Sequence, residues 1–308
     1  MPRTASRLLL LLAKAIKAIW SVFTDFWNTS TRIWGTVEGS LLSEYGGAAA
    51  AYSLRILSAS TTNVVKVRRS GDDAELDFTA NEVSGGTLEA WVVAGGGTKD
   101  GFVTTWYDQS GNGNNATQAT AANQPKIVSS GTLVEENSKA AIDFDGADDL
   151  LTITAGSSIL PSTGDLSSFS VFSGDTSTIG YIYSNATSSD DRHGIGLQFF
   201  SGALRINGAI RVGGTWNIYE EQLISADQQY LLSAFKSGVD FYVDGIKSTG
   251  GTNGVFAAPN ITFNIGANTN SASTLNGKLQ EIIFFDSDQS TNRTGIEANI
   301  NDYYNIYP

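Results

Sequence analysis

Apolar and polar side chains alternate along Val239, Asp240, Phe241, Tyr242 and Val243, so one face of this segment can meet a core while the other meets water. Ser237-Gly238 precedes it and Asp244-Gly245 closes it, and both dipeptides tolerate the positive φ angles of tight hairpins. With the Tyr230–Lys236 run in front, the pattern predicts a meander of three antiparallel strands. Further strands are predicted at Ile261–Ile265 and Lys278–Phe285. The second carries Ile282, Ile283, Phe284 and Phe285 in a row, as expected of a strand covered on both faces. Nearer the start, Val65 and Val67 alternate with Lys66 and Arg68 ahead of a Ser70-Gly71-Asp72 turn, which reads as a half-buried strand. Phe169–Phe172, Ile179–Tyr183, Gly194–Phe200 and Ala203–Ile206 add strands between polar turns, and no long-period repeat is visible.

Two stretches follow a helical period instead. Leu9, Leu12, Ile16, Ile19, Phe23 and Phe26 recur at spacings of three and four, with Lys14, Lys17, Ser21, Asp25 and Asn28 on the opposite stripe. This is an amphipathic helix with a heptad-like seam. Lys14 and Lys17 interrupt the apolar run too early for a secretory signal and spoil the roughly 20 apolar residues of a membrane span. Self-association or docking on a protein is preferred to lying on a membrane, since the polar stripe holds only two lysines. At the other end, Ile296, Ile300 and Tyr303 keep helical spacing behind Ser290 and Thr291, either of which suits an N-cap. A terminal helix covering the sheets is expected there.

The order Tyr230-Leu-Leu-Ser-Ala-Phe, Val239-Asp-Phe-Tyr-Val-Asp-Gly-Ile, Asn264-Ile-Gly-Ala and Asn276-Gly-Lys-Leu-Gln-Glu-Ile-Ile-Phe-Phe resembles the C-terminal half of a laminin-G-like, concanavalin-type lectin domain. Ala140-Ala-Ile-Asp-Phe-Asp-Gly-Ala-Asp-Asp-Leu-Leu-Thr-Ile resembles the start of that unit. Ala51-Tyr-Ser, Val67-Arg-Arg-Ser and Trp106-Tyr-Asp-Gln-Ser-Gly, with Asn114 and Thr117-Gln118, are similar to the opening of the catalytic domain of fungal-type α-L-arabinofuranosidase B. Joined in this order, the two patterns also resemble structural proteins of tailed bacteriophages. The resemblance covers about residues 48–306. It implies an all-β, concanavalin-like jelly-roll sandwich of two antiparallel sheets, residues 44–308, behind an N-terminal amphipathic helix and linker, residues 1–43.

Glycine at 33 residues and charged residues at only 16% suit a turn-rich β protein. Cysteine is absent, which excludes thiol nucleophiles, thiolate zinc sites and disulfides. The net charge is −12. Arg3, Arg7, Lys14, Lys17 and Arg32 face Asp25 alone in residues 1–34, so a net +4 there leaves −16 on residues 35–308. An acidic body repels phosphate backbones, and no nucleic-acid partner is expected.

Candidate chemistry centres on Trp106, Tyr107, Asp108, Asn112 and Asn114, because aromatic faces stack on sugar rings while Asp and Asn bond hydroxyls. The competing reading puts Trp106 in the core and makes Asp108–Asn115 turn chemistry. A retaining glycosidase needs two carboxylates about 5 Å apart. Glu220, Glu221 and Glu281 form no motif that would aim a pair at one sugar. His193 is the only histidine, sits beside Asp190-Asp191-Arg192 and has no nucleophile elbow to serve. No cofactor is expected. Asp145, Asp148 and Asp149 are the calcium candidates, without EF-hand spacing.

The sequence is therefore read as a non-enzymatic virion component of a tailed bacteriophage, a fibre, tail appendage or decoration protein. It would associate with itself, as a trimer for example, or with other virion proteins, through Leu9, Leu12, Ile16, Ile19, Phe23 and Phe26, and contact host surface glycan. The alternatives are a secreted carbohydrate-binding module and, third, a glycoside hydrolase.

Overall fold

The computed structural model describes residues 40–154, 159, 165–175, 180–186, 192–200, 203–212, 215–235, 240–248, 263–268 and 273–308. The helix read over residues 8–27 lies outside them. Residues 41–308 form one compact unit. It begins with a helical turn, α1 (Leu41–Glu44), and strands β1 (Ala48–Ser53), β2 (Val65–Arg69) and β3 (Glu75–Phe78). Helices α2 (Ala80–Ser84) and α3 (Thr87–Ala94) follow, then β4 (Gly101–Trp106), β5 (Ala116–Thr117), β6 (Lys126–Ser129), β7 (Thr132–Leu133), β8 (Glu135–Glu136), β9 (Lys139–Ala140), β10 (Ile142–Asp145) and β11 (Leu151–Ile153). Next come β12 (Ser167–Gly174), β13 (Gly180–Ala186), β14 (Arg192–Phe200), β15 (Ala203–Val212), β16 (Thr215–Ile224) and β17 (Gln229–Phe235). The chain closes with β18 (Asp240–Val243), β19 (Ile246–Lys247), β20 (Phe263–Ile265), β21 (Asn276–Phe285) and helix α4 (Arg293–Tyr304).

Apart from β8 and β9, which form a small ribbon of their own, the described strands pair antiparallel in two layers, the all-β sandwich expected. One layer runs β3-β2-β4-β6-β10-β21-β12-β17-β18-β19, with β1 taking over from β10 along the second half of β21. The other runs β5-β11-β20-β13-β14-β15-β16. The short pairing of β4 with β5 turns the corner between them. Asp244 and Gly245 have φ of 52° and 75°, so the turn from β18 to β19 has both central residues left-handed, as the sequence required.

β21 shows why four consecutive apolar residues are tolerated. Ile282 and Phe284 belong to the core between the layers, with Tyr52, Val67, Trp106, Phe144, Ile153, Ile182 and Ile265. There the Tyr183, Phe263 and Phe284 rings lie with centroids 4.9 to 5.5 Å apart, in edge-to-face and stacked contacts. Ile283 and Phe285 point the other way, into a second core with Phe169, Val171, Leu231 and Phe235 that Ile296, Ile300 and Tyr304 of α4 cover. Each such side chain contributes about 1.5–3 kcal/mol by leaving water, so the helix is part of the sandwich's stability. It is also tied electrostatically. Arg55 donates from Nε and Nη2 to both oxygens of the fully buried Glu281, at 2.7 and 2.9 Å, and from Nη1 to Asn299 Oδ1 of α4 at 3.0 Å.

Two details differ from the sequence reading. The N-cap of α4 is Asn292, one residue past the two expected, and it makes no side-chain capping bond. Helices α2 and α3 were not foreseen. Thr79 caps α2 by accepting from Glu82 N, while Glu82 Oε2 accepts from Thr79 N at 2.9 Å, a reciprocal capping box written in the sequence as Thr-Ala-Asn-Glu.

Candidate functional site

β1 pairs with β21 on one edge only, which leaves backbone groups on its other edge to be satisfied. The segment after β4 does this with side chains. Asp108 accepts at Oδ1 from Ala51 N and Ser110 N, both at 2.9 Å, and at Oδ2 from Asn114 N at 2.9 Å and Ser110 Oγ at 2.8 Å. Asn112 Nδ2 donates to the Ala48 and Ala49 carbonyls at 3.0 and 3.1 Å, and Asn114 Nδ2 to Ala49 O at 2.8 Å. Gln109 is 2% exposed. It receives Leu57 N at Oε1 and donates from Nε2 to Ser53 O and Arg55 O. Short polar side chains can reach neighbouring backbone in this way only where the chain curls tightly, and Gly111 and Gly113, at φ of 91° and 76°, permit the curl.

Residues of the loop so held line two polar pockets. The larger, about 540 Å³, is lined by Gly47, Ala48, Ala49, Ser110, Asn112, Asn114 and Asp286. Asn112 and Asn114 each spend their NH₂ group on β1 and have no partner at Oδ1 among the described residues, while Asp286, just past β21, adds an exposed carboxylate. The smaller, about 260 Å³, is lined by Ser60, Thr61, Thr62, Asn63, Tyr107, Asp108, Gln109 and Gly111. Neither set of lining residues contains a cation.

Of the five sugar-contact candidates, Tyr107 and Asp108 line the smaller pocket and Asn112 and Asn114 the larger. Trp106 lines neither. It is fully buried, its ring 5.7 Å from that of Tyr52, and so presents no face to a ligand, which corrects its reading as a sugar platform. Tyr107 donates its hydroxyl to Asp77 Oδ1 at 2.6 Å; burial, and then that bond, push its phenol well above the ordinary range, so it acts as a fixed neutral ring. Asp286 and Ser60–Asn63 were missed, since only the folded chain brings them beside the loop.

The remaining candidates lie elsewhere. Glu281 is held by Arg55 and is not free for acid–base work. His193, Glu220 and Glu221 lie on β14 and β16, opposite Ile210, Gly208 and Asn207. Asp145, Asp148 and Asp149 bring carboxylate oxygens within 4.8 Å of one another, an oxygen set that could hold a hard cation. Asp149 is 5% exposed and accepts from Asp145 N at 3.0 Å; burial first, then the Asp145 charge, push its carboxyl up to about 7. The apolar seam Leu9, Leu12, Ile16, Ile19, Phe23 and Phe26 lies outside the described residues.

No protein-family model and no curated protein matches the chain. Solved structures do. A GH54 α-L-arabinofuranosidase soaked with a cyclic sulfate inhibitor matches with a TM-score of 0.55 at 14% identity. A mutant GH54 α-L-arabinofuranosidase soaked with 4-nitrophenyl α-L-arabinofuranoside matches at 0.58 and 15%. An arabinofuranosidase complexed with arabinofuranosyl-α-1,2-xylobiose matches at 0.54 and 14%. Each alignment covers 84% of this chain and 64% of the other, so the chain spans just under two thirds of the length of these enzymes. At this identity the likeness is one of fold. It nonetheless removes the ground for expecting a non-enzymatic chain, because these three solved proteins that share its fold are arabinofuranosidases.

Proposed function

We propose that the chain is a carbohydrate-active β-sandwich protein that receives a neutral glycan, arabinofuranose-bearing in the first instance, in the pocket of Ser110, Asn112, Asn114 and Asp286. One observation carries this reading: the pocket is walled by amide and hydroxyl groups and one carboxylate, with no cation among its lining residues. Such a wall suits hydroxyls, which both donate and accept, better than anions or hydrocarbon. Its volume lies within the range of small-ligand sites, about 300–1,000 Å³. The sugar class is taken from the ligands of the arabinofuranosidases that share the fold. Where the sugar is also cleaved, Asp286 is the carboxylate at hand.

Calorimetric titration with methyl α-L-arabinofuranoside tests the proposal. Binding that Asn112→Ala and Asp286→Asn weaken at least tenfold is expected; no binding at millimolar sugar, or binding indifferent to both changes, defeats it. Release of 4-nitrophenol from its α-L-arabinofuranoside reports turnover in the same samples.

The setting we infer is a tailed-bacteriophage virion, with host surface glycan as ligand and copies of this chain or other virion proteins as partners of the N-terminal seam. The order of motifs in the sequence is what supports it. Mass spectrometry of purified particles that finds no peptide of the chain would remove it.

A further inference from the structure

The linings of the two pockets meet along the chain at Gly111. Gly111 lines the smaller pocket, while its chain neighbours Ser110 and Asn112 line the larger. Above Gly111 the space is open, since a side-chain carbon built there would meet no atom within 4 Å. A ligand can therefore lie over this crest with the backbone close beneath it.

The smaller pocket has the chemistry of a sugar subsite. Ser60 and Thr62 bring hydroxyls, Asn63 an amide, and Tyr107 an aromatic ring held in place by its bond to Asp77. Asp108 is the one carboxylate in its wall, and both oxygens are already engaged by the loop. No lining residue is cationic, so an anion meets no countercharge, and an apolar ligand would strand the hydroxyls.

We infer that the Ser60–Asn63 pocket is a second sugar subsite, and that the ligand is an oligosaccharide straddling the Gly111 crest with one unit on each side. This rests on the reading of the larger pocket and extends it from a single sugar to a chain of at least two.

The test is calorimetric titration of the full chain with methyl α-L-arabinofuranoside and with arabinofuranosyl-α-1,2-xylobiose. The trisaccharide is expected to bind about tenfold more tightly or better. Thr62→Val and Asn63→Ala should each erase most of that gain and leave the monosaccharide affinity unchanged. Thr62 is exposed, so Thr62→Val should not lower the melting temperature; a drop would mark Thr62 as structural and count against the subsite. Equal affinity for the two sugars, or a gain that survives both substitutions, overturns the subsite while the larger pocket stands. If neither sugar binds, both fall together.

Discussion

At the residue scale, the loop after β4 depends on one carboxylate. Asp108 accepts four hydrogen bonds at 2.8–2.9 Å, three of them from backbone N–H groups of residues 51, 110 and 114. Removing the acceptor leaves those donors unpaired, so Asp108→Ala should lower unfolding free energy by about 3 kcal/mol in denaturant titration. Asp108→Asn should fall between the two, since an amide has only one acceptor oxygen. Asp149 makes a different prediction. Its folded-state carboxyl titrates at about 7, above the ordinary value near 3.9, so the folded form binds the proton more tightly. The stability this gives is complete below about pH 4 and is lost as pH rises to about 7. Asp149→Asn should flatten the fall by on the order of 2 kcal/mol between pH 4.5 and 7.5, measured by urea unfolding. Tight-turn chemistry at Asp108–Asn115 was legible from its Asp, Asn and Gly content. The fate of Trp106 was not, because a tryptophan beside a polar loop suits a core and a ligand face alike until its neighbour Tyr52 is seen against it.

At the element scale, the alternation read from the sequence is seen in β2 and β18. β2 alternates as buried Val65 and Val67 against Lys66 and Arg68, and β21 is doubly covered as its apolar run implied. The two-residue strands β7, β8 and β9 are too short to carry a period and were invisible, while the Thr79–Glu82 capping box could have announced α2. The attachment of α4 was only half legible. Its apolar face could be read from spacing, but the ion pair beneath it joins residues that are adjacent only after folding. Glu281 is 0% exposed and the Arg55 side chain 11%, so Arg55→Ala leaves a buried charge without its partner. A loss of about 3–5 kcal/mol is expected by chemical denaturation, with α4 the first element to lose amide protection in hydrogen exchange. Replacing both residues by apolar ones of similar size should restore most of the loss.

At the scale of the whole molecule, the jelly-roll sandwich was foreseen through resemblance and motif order, and the solved structures agree on the fold. What they changed is the weight given to catalysis. The pockets were not legible at all, since one needs Asp286 and the other Ser60–Asn63 to meet a loop far from them in the chain. Residues 41–308 form a compact unit and should fold when expressed alone. If the seam from Leu9 to Phe26 joins copies, the full chain should sediment as an oligomer and the 41–308 fragment as a monomer; two monomers would leave docking on another protein as the role of that segment.

The flank of β1 that no described strand covers has one more consequence. A bare strand border invites foreign chains to add to it, yet here Asp108, Gln109, Asn112 and Asn114 occupy its bonding groups from within the same molecule. Concentrated samples should therefore resist fibrillar growth through β1. The same tethers mean that a sugar bound over Gly111 as proposed would meet a loop already held in place, with no ordering left to be done on arrival.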